Sequence, residues 1–187
     1  MIVMALPDLD VRPQRDPDLA AAQAGDRAAA GRLLRRLLPR VRNLVRYLVR
    51  GDADVDDMAQ QSLIAILQGL PTYRGDGSFE GWADRITVRE TLRYAKRRRL
   101  LAQRRDEMAP TLRVVRGEGA RPDAYLDRRE LARLLDTLPD DQRQTLVLHH
   151  ALGMSVPEIA ATLEIPFDTA KSRLRLAMKK LRTEDRS

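Results

Sequence analysis

The sequence contains no cysteine and only two histidines, and both shortages exclude kinds of chemistry. Without cysteine, the protein has no disulfides and no thiolate metal sites. The histidines, His149 and His150, are adjacent, so on a helix they point about 100° apart and cannot form the i, i+4 pair of a zinc site. A glycine-rich phosphate loop and a nucleophile motif are missing too. We therefore expect no enzyme activity, no metal and no cofactor.

Long apolar runs are also missing. No segment of the sequence approaches the roughly 20 apolar residues that a membrane-spanning helix needs. The first residues, Met1 to Leu6, lack a basic region and are followed by Pro7 and acidic residues, which does not fit a signal peptide. We therefore expect a cytoplasmic protein without membrane insertion. Strand-like alternation is absent as well, so the sequence predicts an all-α fold.

Positive charge is what the sequence has in excess. The formal net charge is +7, and the basic residues are concentrated in two segments. Residues 85–105 contain nine arginines or lysines and one acid, and residues 168–182 contain six and one acid. Such a surface attracts polyanions, so nucleic acid and anionic membrane are both candidate ligands. Two separate basic segments indicate two contacts with one long polyanion.

Changes in composition divide the chain into four parts. Residues 1–15 contain two prolines and no clear pattern, and we predict a flexible N-terminus there. Residues 16–105 and 123–187 show helical periodicity and are predicted to form two small helical domains. Between these domains, residues 106–122 contain glycines, prolines and scattered charges, which is typical of a flexible linker.

Local signals predict where the first helices begin and end. Asp16 and Pro17 are typical of a helix start, and this helix is expected to run to about Leu38. Pro39 should break or kink the chain, because it lacks an amide donor. A second helix is then expected to stop at Gly51.

The next two helices are predicted to be amphipathic. The third has an acidic start, with four aspartates between Asp52 and Asp57. Its apolar residues predicted to face the core are Leu63, Ile64 and Leu67. A turn-prone loop follows at residues 73–78. The fourth helix has a basic outer face, and its apolar residues predicted to share one side are Phe79, Trp82, Ala83 and Ile86.

The strongest local motif lies between Met154 and Leu181. Ser155 is a typical helix N-cap, and Ile165 and Pro166 should end the short helix that it begins. A second helix follows, and two helices joined by so tight a turn resemble a helix-turn-helix, whose second helix enters the DNA major groove. The residues of this second helix expected to pack inward are Ala170, Leu174, Ala177 and Leu181. Those on its polar side are Asp168, Lys171, Ser172, Arg175 and Lys179.

Three other interpretations fit parts of these patterns. An ordinary amphipathic hairpin with a solvated basic face accounts for residues 154–181 taken alone. A conventional helix-turn-helix regulator that binds operator DNA as a dimer explains the motif, but not the acidic, aromatic and basic order of residues 52–105. Membrane-surface binding by residues 85–99 is weaker, because the opposite face of that helix has only modest apolar area.

Several segments together resemble the extracytoplasmic-function sigma factors of the sigma-70 family. The segments similar to region 4 of that family are Leu138–Arg143, Gly153–Ala160 and Thr169–Arg173. Upstream, residues 54–67 resemble region 2.2, and residues 73–86 resemble regions 2.3 and 2.4. The resemblance covers about residues 18–183 in the expected order, which is more specific than any single motif.

The resemblance implies a sigma factor with region 2 at residues 16–105 and region 4 at residues 123–187. Such a protein binds the β and β′ subunits of core RNA polymerase, recognises the −35 and −10 promoter elements and promotes promoter melting. The residues implied in polymerase binding are Asp56, Asp57, Gln60 and Gln61. Those implied in downstream-element recognition and melting are Tyr73, Arg74, Arg85, Arg89, Arg93, Lys96 and Arg97. Those implied in upstream-element recognition are Thr169, Lys171, Ser172, Arg173, Arg175 and Lys179.

Individual positions refine what the family implies. Tyr73 occupies the loop-aromatic position beside which an extruded DNA base is captured, while Phe79 and Trp82 are predicted to pack in the core. Gln61 stands where many members carry glutamate, and Arg89 stands where some relatives carry a base-reading asparagine. An anti-sigma protein is a further candidate partner that the family implies, although no residue of the sequence identifies one.

Overall fold

The computed structural model describes residues 16–106 and 123–184, and these residues form eight α-helices and one short 3₁₀ turn without any strand. The helices are α1 (Pro17–Gln23), α2 (Arg27–Leu48), α3 (Val55–Gly69), α4 (Phe79–Asp106), α5 (Asp123–Asp136), α6 (Asp140–His150), α7 (Val156–Leu163) and α8 (Phe167–Glu184), with the 3₁₀ turn at Leu70–Thr72. The predicted all-α class is confirmed. The expected flexible N-terminus, 1–15, lies outside the described residues, as does the expected linker, 106–122, apart from Asp106. Among the described helices, none has both the length and the apolar character to cross a bilayer.

The described residues group into two compact units. The N-terminal unit consists of residues 16–46 and 52–106, and the C-terminal unit consists of residues 47–51 and 123–184. Each unit has its own buried core. The fully buried side chains of the N-terminal unit include Leu33, Val41, Val45 and Ile66, and those of the C-terminal unit include Leu135, Leu138, Leu148 and Ile159. The chain therefore has the predicted architecture of two small helical bodies.

The first helical segment differs from the prediction. α1 ends at Gln23, and α2 begins at Arg27 and continues through Pro39. The chain turns at Gly25, whose φ of +96° favours glycine. Asp26 then caps α2 by accepting hydrogen bonds from two backbone amides of its first turn, at 2.8 and 3.3 Å. Of the break or kink predicted at Pro39, the break is wrong. Leu37 and Val41, on either side of the proline, are buried in one continuous helix, and one missing hydrogen bond does not end it.

The core-facing side of α3 also differs from the prediction. Its buried residues are Val55, Met58, Ala59, Ser62 and Ile66. Ile64 and Leu67, which were expected to face the core, are 48% and 42% exposed. Ser62 can lie in the core because its hydroxyl donates a hydrogen bond to the carbonyl of Met58 at 2.8 Å. The side of α3 that packs in the core therefore includes Ser62, and Ile64 and Leu67 are exposed to solvent.

A buried arginine joins α5 to α6 in the C-terminal unit. Arg143 is fully buried, donates a hydrogen bond from Nε to the carbonyl of Leu135 at 2.9 Å, and forms an ion pair with Asp136. Lys180 of α8 donates to the carbonyl of Thr137, just beyond α5, at 2.6 Å. Because α8 also packs on α6 and α7, its position is determined by three helices.

Candidate nucleic-acid interface

α7 and α8 are joined by a turn of three residues. Ser155 precedes α7 and forms a capping box with Glu158. The carboxylate of Glu158 accepts hydrogen bonds from the backbone amide of Ser155 at 2.8 Å and from the hydroxyl of Ser155 at 2.6 Å. After Leu163 the chain leaves the helix at Glu164, which has a left-handed φ of +55°. The predicted helix start at Ser155 and the break before Pro166 are confirmed, and so is the helix-turn-helix.

α8 has one buried side and one basic side. Ala170 and Ala177 are fully buried where α8 packs on α6 and α7. Lys171, Arg175 and Lys179 are exposed. Since they follow one another at intervals of four residues, their charges lie along one stripe of the helix. The predicted division of α8 into a packing side and a basic side is confirmed.

The other three predicted DNA-binding residues of α8 are less exposed than this stripe. Thr169 and Ser172 are half-buried. The Nε atom of Arg173 lies 3.1 Å from a carboxylate oxygen of Asp141 on α6. This ion pair directs Arg173 toward the supporting helix, so its side chain is less available to a ligand than those of Lys171 and Arg175.

An aromatic cluster lies where the loop at residues 73–78 meets α4. The ring centroids of Tyr73, Phe79 and Trp82 are 5.3 to 5.5 Å apart. Burial raises the pKa of Tyr73, and its hydroxyl donates a hydrogen bond to the carbonyl of Gly77 at 2.8 Å across the loop. Gln23 of α1 donates to the carbonyl of Tyr73 at 2.9 Å. These contacts fix the loop. Phe79 is buried as predicted, but Trp82 is only half-buried.

A pocket of about 280 Å³ opens beside Trp82 in the N-terminal unit. Its lining residues are Ala65, Gly69, Thr72, Trp82, Arg85, Ile86 and Arg89. A Cβ atom at Gly69 would lie 3.3 Å from the indole Cζ2 of Trp82, so glycine permits this close packing. The pocket therefore combines an aromatic wall with two guanidinium groups. The sequence did not indicate that Trp82 forms this wall, because aromatics spaced i, i+3 usually both pack inward.

The outer side of α4 carries the cations predicted for the downstream contact. The exposed residues of this group on α4 are Arg85, Arg89, Arg93, Lys96 and Arg97, and Arg74 is exposed in the preceding loop. Glu90 lies 3.6 Å from Arg89 and 3.3 Å from Arg93 and partly balances their charge. Arg98 points elsewhere and forms an ion pair with Asp54 at the start of α3.

The outer face of α3 carries exposed polar residues together with two exposed apolar ones. Its exposed polar residues are Asp56, Asp57, Gln60, Gln61 and Gln68, and the first four are the predicted polymerase contacts. The carboxylate of Asp56 pairs with Nε of Arg42 at 2.8 Å. Ile64 and Leu67 lie four and seven residues beyond Gln60, which places them on the same side of the helix. Ile64 and Leu67 therefore add exposed apolar surface beside the polar residues of this face.

Comparison with known families accounts for both units. The family model for sigma-70 region 2 matches residues 33–100, and the model for sigma-70 region 4 matches residues 128–181. The extracytoplasmic-function RNA polymerase sigma-E factor of Salmonella typhimurium is 31% identical over 167 residues, which cover 81% of this chain and 84% of that protein. The chain belongs to the extracytoplasmic-function sigma factors of the sigma-70 family. The predicted family is confirmed.

Two further similarities agree with this assignment. The sigma factor SigE of Mycolicibacterium smegmatis is 32% identical over 181 residues, covering 92% of this sigma factor and 69% of SigE. The solved structure of the sigma factor RpoE from Bartonella quintana, in complex with the anti-sigma factor NepR, has a TM-score of 0.58 at 22% identity. The similarity covers 82% of this sigma factor and 94% of the RpoE chain, and it shows that the two share a fold.

In this sigma factor, the aromatic cluster and the pocket fall in the matched region 2, and the helix-turn-helix falls in the matched region 4. A conventional helix-turn-helix regulator accounts for the second match only. That alternative is therefore not favoured.

Proposed function

We propose that this sigma factor directs core RNA polymerase to promoters by contacting two DNA elements with two separate basic helices. In this proposal residues 16–105 act as the region 2 domain and residues 123–187 as the region 4 domain, with residues 106–122 connecting the two. The observation that carries it is the pair of cationic helix faces, on α4 and on α8, in a chain of this family. Because both units belong to one chain, binding of one raises the effective concentration of the other at the DNA. Two contacts of modest affinity are therefore enough to select a promoter. The polymerase performs the chemistry, in the cytoplasm.

The downstream element is proposed to be held and opened by the N-terminal unit. Extruding a base costs a few kcal/mol of stacking, which a pocket with an aromatic wall and nearby cations offsets. The pocket beside Trp82 has this character, with Arg85 and Arg89 at its rim and Tyr73 supporting the loop. The proposed phosphate contacts of this unit are Arg74, Arg93, Lys96 and Arg97.

The polymerase is proposed to bind the outer face of α3. Asp56, Asp57, Gln60 and Gln61 supply polar contacts, and Ile64 and Leu67 supply the apolar area. Interfaces of this kind draw most of their affinity from a few desolvated side chains near the centre of the contact. An anti-sigma protein is a further proposed partner, and RpoE of Bartonella quintana is solved with one.

Replacing Ile64 by alanine should weaken binding to core polymerase about tenfold, the effect of losing one central apolar contact of about 1.4 kcal/mol. The measurement is a titration of labelled protein with core polymerase in the absence of DNA. Leu38→Ala is the matched control, since Leu38 is another exposed aliphatic residue, on α2 and 38% exposed. Equal affinities of the Ile64→Ala variant and the original protein would contradict the assignment of this face.

The upstream element is proposed to be read by α8, with base contacts from Lys171, Ser172 and Arg175 and phosphate contacts from Thr169, Arg173 and Lys179. Arg175→Ala should weaken promoter binding by about 1 to 3 kcal/mol and relax the preference at one base pair, if the guanidinium donates two hydrogen bonds to guanine. Arg182→Ala removes an exposed arginine from the last turn of the same helix and should leave the sequence preference unchanged.

Run-off transcription tests the whole proposal. Core polymerase supplemented with the full chain is given a promoter selected from random DNA by the same mixture. A defined start site that depends on the added protein is the expected result, with less product from the Arg175→Ala variant. No start-site selection with core polymerase from several bacteria would refute the proposal.

A further inference from the structure

Phe167 exposes a large apolar side chain at the beginning of the recognition helix. It is the first residue of α8, and 48% of its surface is accessible. The other phenylalanine of the chain, Phe79, is only 6% exposed and packs in the aromatic cluster. Packing within the C-terminal unit therefore leaves about half of the Phe167 side chain available to a ligand.

The neighbours of Phe167 indicate which ligand this surface meets. Lys171 and Arg175 follow it at intervals of four residues, so the ring begins the same stripe that carries the exposed cations. Asp168, the next residue, is exposed and negatively charged, and phosphates repel it. The first turn of α8 therefore offers groups that suit base edges rather than the DNA backbone. In a helix-turn-helix, this end of the second helix lies closest to the bases.

We infer that Phe167 contacts the C5 methyl group of a thymine in the upstream promoter element and sets the preference at that base pair. Among the four standard bases, thymine alone presents an apolar group in the major groove, and a phenyl ring can neither donate to nor accept from the other groups there. This inference rests on the proposed function of α8 as the upstream reader. It adds a residue that the sequence did not identify as a DNA contact.

Deoxyuridine tests this contact, because it differs from thymidine only by the missing methyl group. Polymerase holoenzyme, reconstituted with the full chain, first selects promoters from a pool with a randomised upstream element. Each thymine of the selected element is then replaced singly by deoxyuridine. The original protein should lose about fourfold in affinity at one position, the effect of one buried methyl group. At that position the Phe167→Ala variant should bind both DNAs equally, and Phe167→Leu should keep part of the difference.

Leu176→Ala is the matched control. Leu176 is 43% exposed and lies nine residues further along α8, on the opposite side of the helix from Phe167. This variant should keep the full methyl dependence. The inference is overturned if the original protein shows no methyl dependence at any position, or if Phe167→Ala retains it. A holoenzyme that selects no promoter at all would instead overturn the proposed function.

Discussion

Asp84→Ala is expected to lower the free energy of unfolding of the N-terminal unit by about 2 to 3 kcal/mol, because it removes the buried partner of a partly buried, hydrogen-bonded ion pair. The carboxylate of Asp84, on α4, is 5% exposed and accepts hydrogen bonds from Nε and Nη2 of Arg40, on α2, at 2.8 and 2.6 Å. Hydrogen bonding of Arg40 to the carboxylate of Asp84, which accepts, is the main reason that the pKa of Arg40 is raised. Without Asp84, a partly buried guanidinium loses its carboxylate acceptor.

A loss of this size is a large part of the stability of a typical domain, about 5 to 15 kcal/mol. Urea unfolding followed by circular dichroism measures it. The double variant Arg40→Met, Asp84→Leu should recover most of the loss, because both charges are then absent. Arg32→Ala is the matched control, since it breaks the more exposed pair with Asp18, where solvent screens the attraction, and should cost much less stability than Asp84→Ala. Equal losses in the Asp84→Ala and Arg32→Ala variants would contradict this account.

This ion pair joins residues 44 positions apart, and no local signal in the sequence predicts it. Features set by neighbouring residues were predictable. The cap at Asp16, the helix start at Ser155 and the basic stripe of α8 all depend on spacing of a few residues, and the structure contains them. The sequence therefore predicted the helix-turn-helix in detail.

Predictions that depended on packing were less successful. The side of α3 that faces the core could not be chosen correctly from hydrophobicity, since the buried stripe includes Ser62 and leaves Ile64 outside. The hydrogen bond that satisfies Ser62 exists only in the formed helix. In the same way, the pocket beside Trp82 results from the approach of α4 to Gly69, and is visible only when both helices are in place.

The error on α3 changes the view of the proposed polymerase contact. A face made of Asp56, Asp57, Gln60 and Gln61 alone would be a polar surface, and such surfaces contribute mainly to orientation and association rate. The exposed Ile64 and Leu67 add apolar area next to them. Burying this apolar area against a partner is favourable, whereas leaving it exposed to water is not, so a mixed surface of this kind is typical of a binding site.

Promoter affinity is expected to fall at least a thousandfold when salt rises from about 50 to 200 mM, as for proteins that neutralise six or more phosphates. The proposed phosphate contacts include six cations, which are Arg74, Arg93, Lys96, Arg97, Arg173 and Lys179. Each cation that contacts a phosphate releases counterions from DNA, so the logarithm of affinity falls linearly with the logarithm of salt concentration. Fluorescence anisotropy of a labelled promoter with holoenzyme, at saturating sigma factor, measures this slope.

Substitutions show which residues contribute to the salt dependence of promoter affinity. Lys96→Gln with Arg97→Gln should reduce it by about two, since each lost phosphate contact lowers it by about one. Arg27→Gln, which removes an exposed arginine from the first turn of α2, should leave it unchanged. Because the two basic helices belong to separate units, the Lys96 and Arg97 variant should keep the contribution of α8 and thus a substantial slope. An original protein whose promoter affinity is insensitive to salt would show that these cations do not grip the DNA backbone, and both proposed DNA contacts would then fail together.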